Sequence, residues 1–446
     1  WALSAGGEYL GLIMPDGQTV VHEYAPNFPA QFPDVSYGLL NGEHVFFQSP
    51  TPGAPNASGV VYAADPVFSH QRGFYDEPFD LLITTTTPNA TIRYTTNGSP
   101  PSLTNGHTYT GPLPINRTTV LRAAAFKTGY EPSRIETHTY IFVDDVITQS
   151  TNSALASGFP ATWGSHRVDY GMDPDVVNNP LYSGTIRDDL KSLPTVSIVM
   201  SMDDLFHPET GFYANSTQTG RDWERQTSIE LIHPSGEEGF QVNSGIRIRG
   251  AFSTSLQNPK HSFRLFFRGE YGNAKLNYAL FGDQGTDTFD GFDLASAQNW
   301  TWHIHQVLFA GEQAVYVRDQ FARDTQLAMG HHAERGIFTH VYINGHYWGV
   351  YCASERPEAS YAESYFGGSK EDYDVIKSTG PPNYDIEATD GTMDAWTTLW
   401  QIATNGFESE ANYQLIQGNN PDGTRNPDYT ILLDVANLID YQLIAI

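Results

Sequence analysis

Cysteine is nearly missing from this sequence. Cys352 is the single one in 446 residues, so no internal disulfide forms and no cysteine-based zinc site exists. Positive charge is scarce as well. Lys and Arg number 24 against 51 Asp and Glu, for a formal charge of -27. Duplex binding relies on clustered cations, so nucleic acid is not an expected partner. No apolar run reaches the roughly 20 residues that cross a bilayer. No initiator Met or signal-peptide pattern stands at Trp1. The sequence also has no Gly-x-Ser-x-Gly, no Walker A motif and no dinucleotide fingerprint. Global disorder is excluded, because charged residues are only 17% while hydrophobic residues are 39% and aromatics 13%.

Against this acidic background one segment is cationic. Gly245-Ile-Arg-Ile-Arg-Gly-Ala-Phe-Ser-Thr-Ser and Pro259-Lys-His-Ser-Phe-Arg-Leu-Phe-Phe-Arg hold Arg247, Arg249, Lys260, Arg264 and Arg268, with no acid between Glu238 and Glu270. Ile246 and Ile248 alternate with Arg247 and Arg249. Phe263, Leu265 and Phe267 alternate with Arg264, Phe266 and Arg268. Side chains alternate faces along a strand, so two strands are predicted, each with an apolar and a cationic side. Converging cations and free backbone N–H groups in a small-residue loop suit a polyphosphate. A solvated cationic hairpin with ordinary surface ion pairs is the alternative.

These residues resemble the glycine-serine loop and following strand of the CotH spore-coat kinases, an atypical branch of the protein-kinase-like fold. Val315-Tyr-Val-Arg-Asp-Gln-Phe-Ala-Arg-Asp324 resembles the family's Arg-Asp helix. His340-Val-Tyr-Ile-Asn-Gly-His-Tyr-Trp-Gly-Val-Tyr-Cys-Ala-Ser-Glu-Arg356 resembles its strand, Asn-Gly turn and strand ending in Glu. The resemblance implies ATP and Mg²⁺ as cofactors. It makes Arg249, Ser253, Lys260 and Arg264 the phosphate-facing residues, with Asp319 or Glu355 orienting Lys260. It leaves the catalytic and metal-binding carboxylates beyond Ile446, so this chain by itself is expected not to transfer phosphate. The last helix, from about Val435, is expected to continue or to be covered by another chain.

The length calls for about two to four domains. Residues 1–57 read as short strands with turns. Phe32-Pro-Asp-Val-Ser-Tyr-Gly38 and Pro50-Thr-Pro-Gly-Ala-Pro-Asn56 resemble the last half of a lamin-tail module. Residues 58–146 resemble the small immunoglobulin-like domain at the C-terminus of chitobiases and hexosaminidases, with a hairpin signal at Asn97-Gly98. There, Tyr94, Tyr109 and Tyr130 read as sandwich core rather than sugar platforms. Residues 147–192 read as a linker or a segment draped over its neighbours. The kinase-like domain then runs over 193–446, with an amphipathic helix near Val317–Met329 that turns Phe321 and Leu327 inward. The expected fold class is therefore multidomain: two immunoglobulin-like β-sandwich modules, then an α+β atypical kinase-like domain with an incomplete helical lobe.

Weaker signals carry other chemistry. Asp287, Asp290 and Asp293 offer a Ca²⁺ reading without the spacing of an EF-hand, and a solvated turn competes with it. His303 with His305, and His331 with His332, lack a third ligand in register for a metal. Tyr347-Trp-Gly-Val-Tyr351 offers an adenine-facing aromatic, against plain core packing. Six Asn-x-Ser/Thr triplets, at Asn56, Asn89, Asn97, Asn116, Asn215 and Asn299, are read as chance in an Asn/Thr-rich chain. Two functions stay open. One is an extracellular or envelope ATP-dependent phosphotransferase. The other is a structural or adhesive surface protein with a kinase-like scaffold, whose partners are surface proteins, further C-terminal domains or its own copies.

Overall fold

The computed structural model describes residues 7–29, 31–32, 35–56, 59–163, 166–250, 253–256, 260–296, 305–306, 309–310, 315–379 and 384–445. It is mostly β, with few helices. Two compact units account for the chain. The first is Trp1–Arg247, Phe266–Leu276 and Thr339–Val350. The second is Ile248–Leu265, Asn277–Phe338 and Tyr351–Ile446.

The first unit opens with two antiparallel hairpins, β1 (Leu10–Ile13) with β2 (Val20–Tyr24), and β3 (Ser36–Leu40) with β4 (Glu43–Phe47). A β module follows. Its main sheet includes β5 (Gly73–Phe74), β6 (Thr91–Thr95), β7 (His107–Thr108), β8 (Thr119–Phe126) and β9 (Glu136–Ile141), in the order β7-β6-β8-β9-β5. Val-Leu and Ala-rich patterning lets β8 bury almost its whole length, and Leu81, Ile83, Leu121 and Tyr140 fill the core. Tyr94 and Tyr109 pack on that core, and the Tyr109 hydroxyl accepts the Ile83 N–H at 3.1 Å. The Tyr130 ring lies under the Lys127 ammonium.

Asn97-Gly98 is not a two-residue hairpin, because eleven residues, 96–106, separate β6 from β7. Gly98 sits at φ +79°, and a Cβ there would meet the Met200 carbonyl at 2.3 Å. The glycine permits a close backbone approach, and its carbonyl accepts from buried Arg122 at 2.9 Å.

Residues 147–192 are not bare linker. They carry short helices at Thr151–Ala156, Pro174–Val177 and Ile186–Asp189. Phe159, Tyr170 and Leu190 are buried. Tyr170 and Trp163 pack on Trp348, and Leu190 joins a cluster with Ile141, Ile232 and Tyr342. Beyond this segment come β10 (Thr195–Val199), β11 (Arg225–Ile232) and β12 (Phe240–Arg249), which are successive antiparallel neighbours. β10 also pairs in parallel with β15 (Gly336–Ile343), Thr195 opposite His340. Asn344-Gly345 joins β15 to β16 (His346–Ser354) as a two-residue turn, with both residues at positive φ. The Asn344 amide grips both the N–H and the carbonyl of Met200 at 2.9 Å.

A buried carboxylate ties the β module to β11. Glu230 accepts the Thr139 N–H at 3.0 Å and the Thr139 hydroxyl, with Arg72 at 3.6 Å. Burial raises its pKa, opposed by Arg72 and these hydrogen bonds.

In the second unit, β13 (Ser262–Phe266), β14 (Gly291–Ala295) and β16 are successive neighbours, with Asp293 opposite Ser354. Four strands, β12, β13, β15 and β16, continue along the chain from one unit into the other. Helices α1 (Arg318–Ala328), α2 (Ala359–Phe366), α3 (Asp394–Thr404), α4 (Glu410–Ile416) and α5 (Val435–Ala445) complete the described helical part. The inward face of α1 differs from the expected one. Phe321 is 70% exposed, and Gln320 is the buried residue. Gly336 explains the choice: a Cβ there would meet the Gln320 amide oxygen at 2.3 Å and the Cys352 sulfur at 3.0 Å. The polar Gln320 therefore fills the space beside the strands.

Candidate functional site

The strand alternation read from the cationic segment holds. Ile246, Ile248, Phe263, Leu265 and Phe267 are buried, and Arg247, Arg249, Arg264 and Phe266 are half-buried. The cations do not form one bare face. They divide around two buried carboxylates that the sequence reading had not assigned to them.

In the first unit, Glu224 collects Arg268 (Nε to Oε1, 2.9 Å) and Arg247 (Nε to Oε2, 3.4 Å), with Arg221 at 4.0 Å. Both the Arg247 and Arg268 guanidinium groups lie over the Phe266 ring, at 4.0 and 4.9 Å. Gly245 makes room for this cluster, since a Cβ there would meet Glu224 Oε1 at 2.4 Å. Glu224 could have been suspected only as an acid near the start of β11. Nothing in its local sequence marks it as a hub.

In the second unit the hub is Asp293, on β14 and 2% exposed. Arg264 donates Nε to Oδ1 at 2.8 Å and Nη2 to Oδ2 at 3.3 Å. Arg249 Nε stands 2.9 Å from Oδ2. This fork fixes Arg249 at the end of β12 and Arg264 in the middle of β13. It also corrects the Ca²⁺ reading at Asp287, Asp290 and Asp293. Asp293 is taken by arginine, and Asp287 accepts from the Thr288 hydroxyl. Among the described residues no three His, Cys, Asp or Glu side chains converge on a cation position.

Lys260 behaves differently from the arginines. It is exposed to solvent, yet protein crowds it enough that desolvation lowers its ammonium pKa. Among the described residues no carboxylate lies within ion-pair distance of it. Its backbone is held instead, because the Ser296 hydroxyl donates to the Lys260 carbonyl at 3.2 Å.

Ser253 is fully buried. Its hydroxyl accepts the Ser262 N–H at 2.7 Å, and its carbonyl meets His261 Nδ1. Ser253 therefore pins the loop to β13 and does not present its hydroxyl to a ligand. Ser262 in turn accepts the Ser296 N–H at 3.0 Å, and the Tyr351 hydroxyl donates to the His261 carbonyl at 3.1 Å. Phe252, Gln257 and Pro259 lie outside the described residues, as does His303.

Neither expected carboxylate reaches Lys260. Glu355 is buried, accepts the Arg335 N–H at 2.8 Å, and receives the Tyr365 hydroxyl on its other oxygen. Burial raises its pKa, with Tyr365 and Arg335 opposing. One oxygen thus holds the chain just before β15 and the other holds α2. The side chain of Asp319 is 78% exposed and sits 3.9 Å from Arg323.

The carboxyl that shares the surroundings of Asp293 is Glu358, just before α2. Burial raises it to about 7. Arg264 opposes the rise, while Asp390, Asp293 and Asp290 add to it. Arg356 Nε is 2.5 Å away. A carboxyl that loses its proton near neutrality is suited to accept one. No motif in the sequence marks it.

The aromatics of β16 are core. Trp348 is buried among Trp163, Tyr170 and Tyr213, and Tyr351 stacks on Phe263 at 5.8 Å. They are not adenine-facing. His331 Nε2 contacts Asp440 on α5 at 2.6 Å, and the His332 ring packs on Phe366. The Cys352 thiol is pushed up to about 11 by burial, so it is a poor nucleophile.

Comparison with known families fits this layout. The CotH kinase protein family matches residues 246–446, beginning at the cationic segment, and the Fn3 associated family matches residues 81–140, inside the β module. No curated protein matches the chain. Where the sequence resembled a chitobiase-type accessory domain, the matching family is the Fn3-associated one. This chain thus carries a CotH kinase domain at 246–446, preceded by an Fn3-associated β module at 81–140.

Proposed function

We propose that the CotH domain is an ATP-dependent phosphotransferase acting on protein outside the cell or at its surface, with Lys260 as the cation that meets the nucleotide phosphates. The observation carrying this is the state of Lys260. It is open to solvent and without a carboxylate partner among the described residues. A cation so placed gains most from an incoming anion. Arg249 and Arg264, fixed by Asp293, frame the same loop and strand. Their charge is half neutralised, so they position rather than dominate. Glu358, raised by burial and sharing the surroundings of Arg264 and Asp293, is the candidate to take a proton from an acceptor hydroxyl.

Mg²⁺ is the metal that phosphoryl transfer ordinarily requires. The described residues offer it no three-ligand group. The surface location rests on the likeness to spore-coat kinases and on the acid-rich, Lys-poor composition. No described helix is long and apolar enough to cross a membrane.

A scaffold without catalysis is the second reading. It is favoured by Ser253 and Glu355 being fully occupied in holding the fold. Titration of the protein with ATP and Mg²⁺ separates the two. Lys260→Ala is expected to weaken ATP binding by about 1–3 kcal/mol, the scale of a charge-assisted hydrogen bond. Equal affinity in the variant removes Lys260 from the site. No ATP binding by the wild type leaves the scaffold.

A further inference from the structure

We propose that a cleft in the first unit is a binding site for a neutral oligosaccharide. The cleft has a volume of about 890 Å³, within the ~300–1,000 Å³ of small-molecule sites. Its walls come from residues 71–75 around β5, residues 134–136 at the start of β9, the β11–β12 hairpin, and residues 272–273. It belongs to the Fn3-associated module and the strands tied to it through Glu230. The residues assigned to phosphate, Lys260, Arg249 and Arg264, are all in the second unit, so this inference does not rest on the phosphotransfer reading.

Three glycines in the walls border open space. A Cβ added at Gly236 would meet nothing within 4 Å. At Gly73 and Gly272 the nearest atom would be 3.8 Å away. No side chain of the described residues fills these positions.

The charges in the walls argue against an ionic ligand of either sign. The Arg134 guanidinium is spent on Asp65, with Nε to Oδ2 at 2.9 Å, and Arg72 lies 3.6 Å from buried Glu230. Glu136, Glu237 and Glu238 in the same walls would repel a phosphate. A cationic peptide would meet the Arg72 and Arg134 guanidinium groups in those walls.

What remains is neutral hydrogen bonding. Gln71, Gln241, Asn243 and Asn273 line the cleft. A carboxamide both donates and accepts, as a sugar hydroxyl does. Arg72 Nη1 is buried without a hydrogen-bond partner among the described residues, a donor that needs an acceptor oxygen. Half-buried Phe74 and Tyr75 give the walls an apolar component for the C–H face of a sugar ring.

The test is calorimetric titration of the whole chain with cellohexaose, maltohexaose, laminarihexaose and chitohexaose as probes. At least one should bind once per chain, with affinity insensitive to salt. The double variant Gln71→Ala/Asn273→Ala should weaken that binding about tenfold, as loss of two hydrogen bonds implies. Both positions are exposed, so the variant should melt like the wild type. Absence of binding by all four probes at about 10 mM overturns the proposal. So does binding that the double variant leaves unchanged. Hexalysine or inorganic phosphate binding there in a manner the double variant abolishes would also overturn it, by showing an ionic site.

Discussion

Single residues in this protein take their roles from what surrounds them. Asp293 and Glu224 each sit under arginines whose side chains remain partly exposed. Removing one partner of such a cluster leaves like charges facing each other. Asp293→Ala is expected to destabilise the fold by about 3 kcal/mol, the low end for a broken buried pair because Arg249 and Arg264 reach solvent. A denaturation midpoint unchanged from wild type would show that Asp293 holds nothing. Glu358 gives a pH signature. Its folded pKa, about 7, lies above its ordinary value of 4.5. Its contribution to stability is therefore complete below the unfolded pKa and is lost as pH rises through 7. Stability measured from about pH 5 to 8 should fall more steeply in the wild type than in Glu358→Gln. Parallel slopes would mean that the carboxyl titrates normally.

Short polar devices join several elements here. The Asn344-Gly345 turn does two jobs. It closes the β15–β16 hairpin at positive φ, and it clamps the Met200 backbone with one amide. Asn344→Ala loses both bonds and places alanine at φ 46°. We expect a loss of about 2 kcal/mol, from two hydrogen bonds of ~0.5–1.5 kcal/mol each plus left-handed strain. Thermal unfolding of the variant at the wild-type temperature would refute that account. The turn was legible in the sequence because Asn-Gly supplies both positive φ values locally. The same dipeptide at 97–98 misled, because there the glycine serves a close approach to Met200, which no local rule reveals.

At the scale of the whole chain, the first unit binds the Fn3-associated module to the strands that follow it. Glu230 on β11 holds Thr139 on β9, and Leu190, Ile141, Ile232 and Tyr342 share one cluster. The module and β10–β12 should therefore open together. Thr139→Val removes a hydroxyl from a buried carboxylate and should cost about 1–3 kcal/mol. Hydrogen exchange should then quicken in 119–141 and in 225–232 alike. Quickening confined to the module would show two independent folding units.

The sequence by itself determined the local order. Strand alternation from Ile246 to Phe267, the hairpin at Asn344, the helices near 318, 394 and 435, and the family of the domain all follow from short-range pattern, since a residue's face and turn are set by its neighbours. Tertiary structure alone decided which cation meets which carboxylate. Arg249 and Arg264 go to Asp293, and Arg247 and Arg268 to Glu224. Ser253 turns inward, and Lys260 is the cation of this segment in the second unit without a carboxylate. Ion pairing and desolvation depend on distances between residues tens of positions apart, and no local rule in the sequence carries those distances.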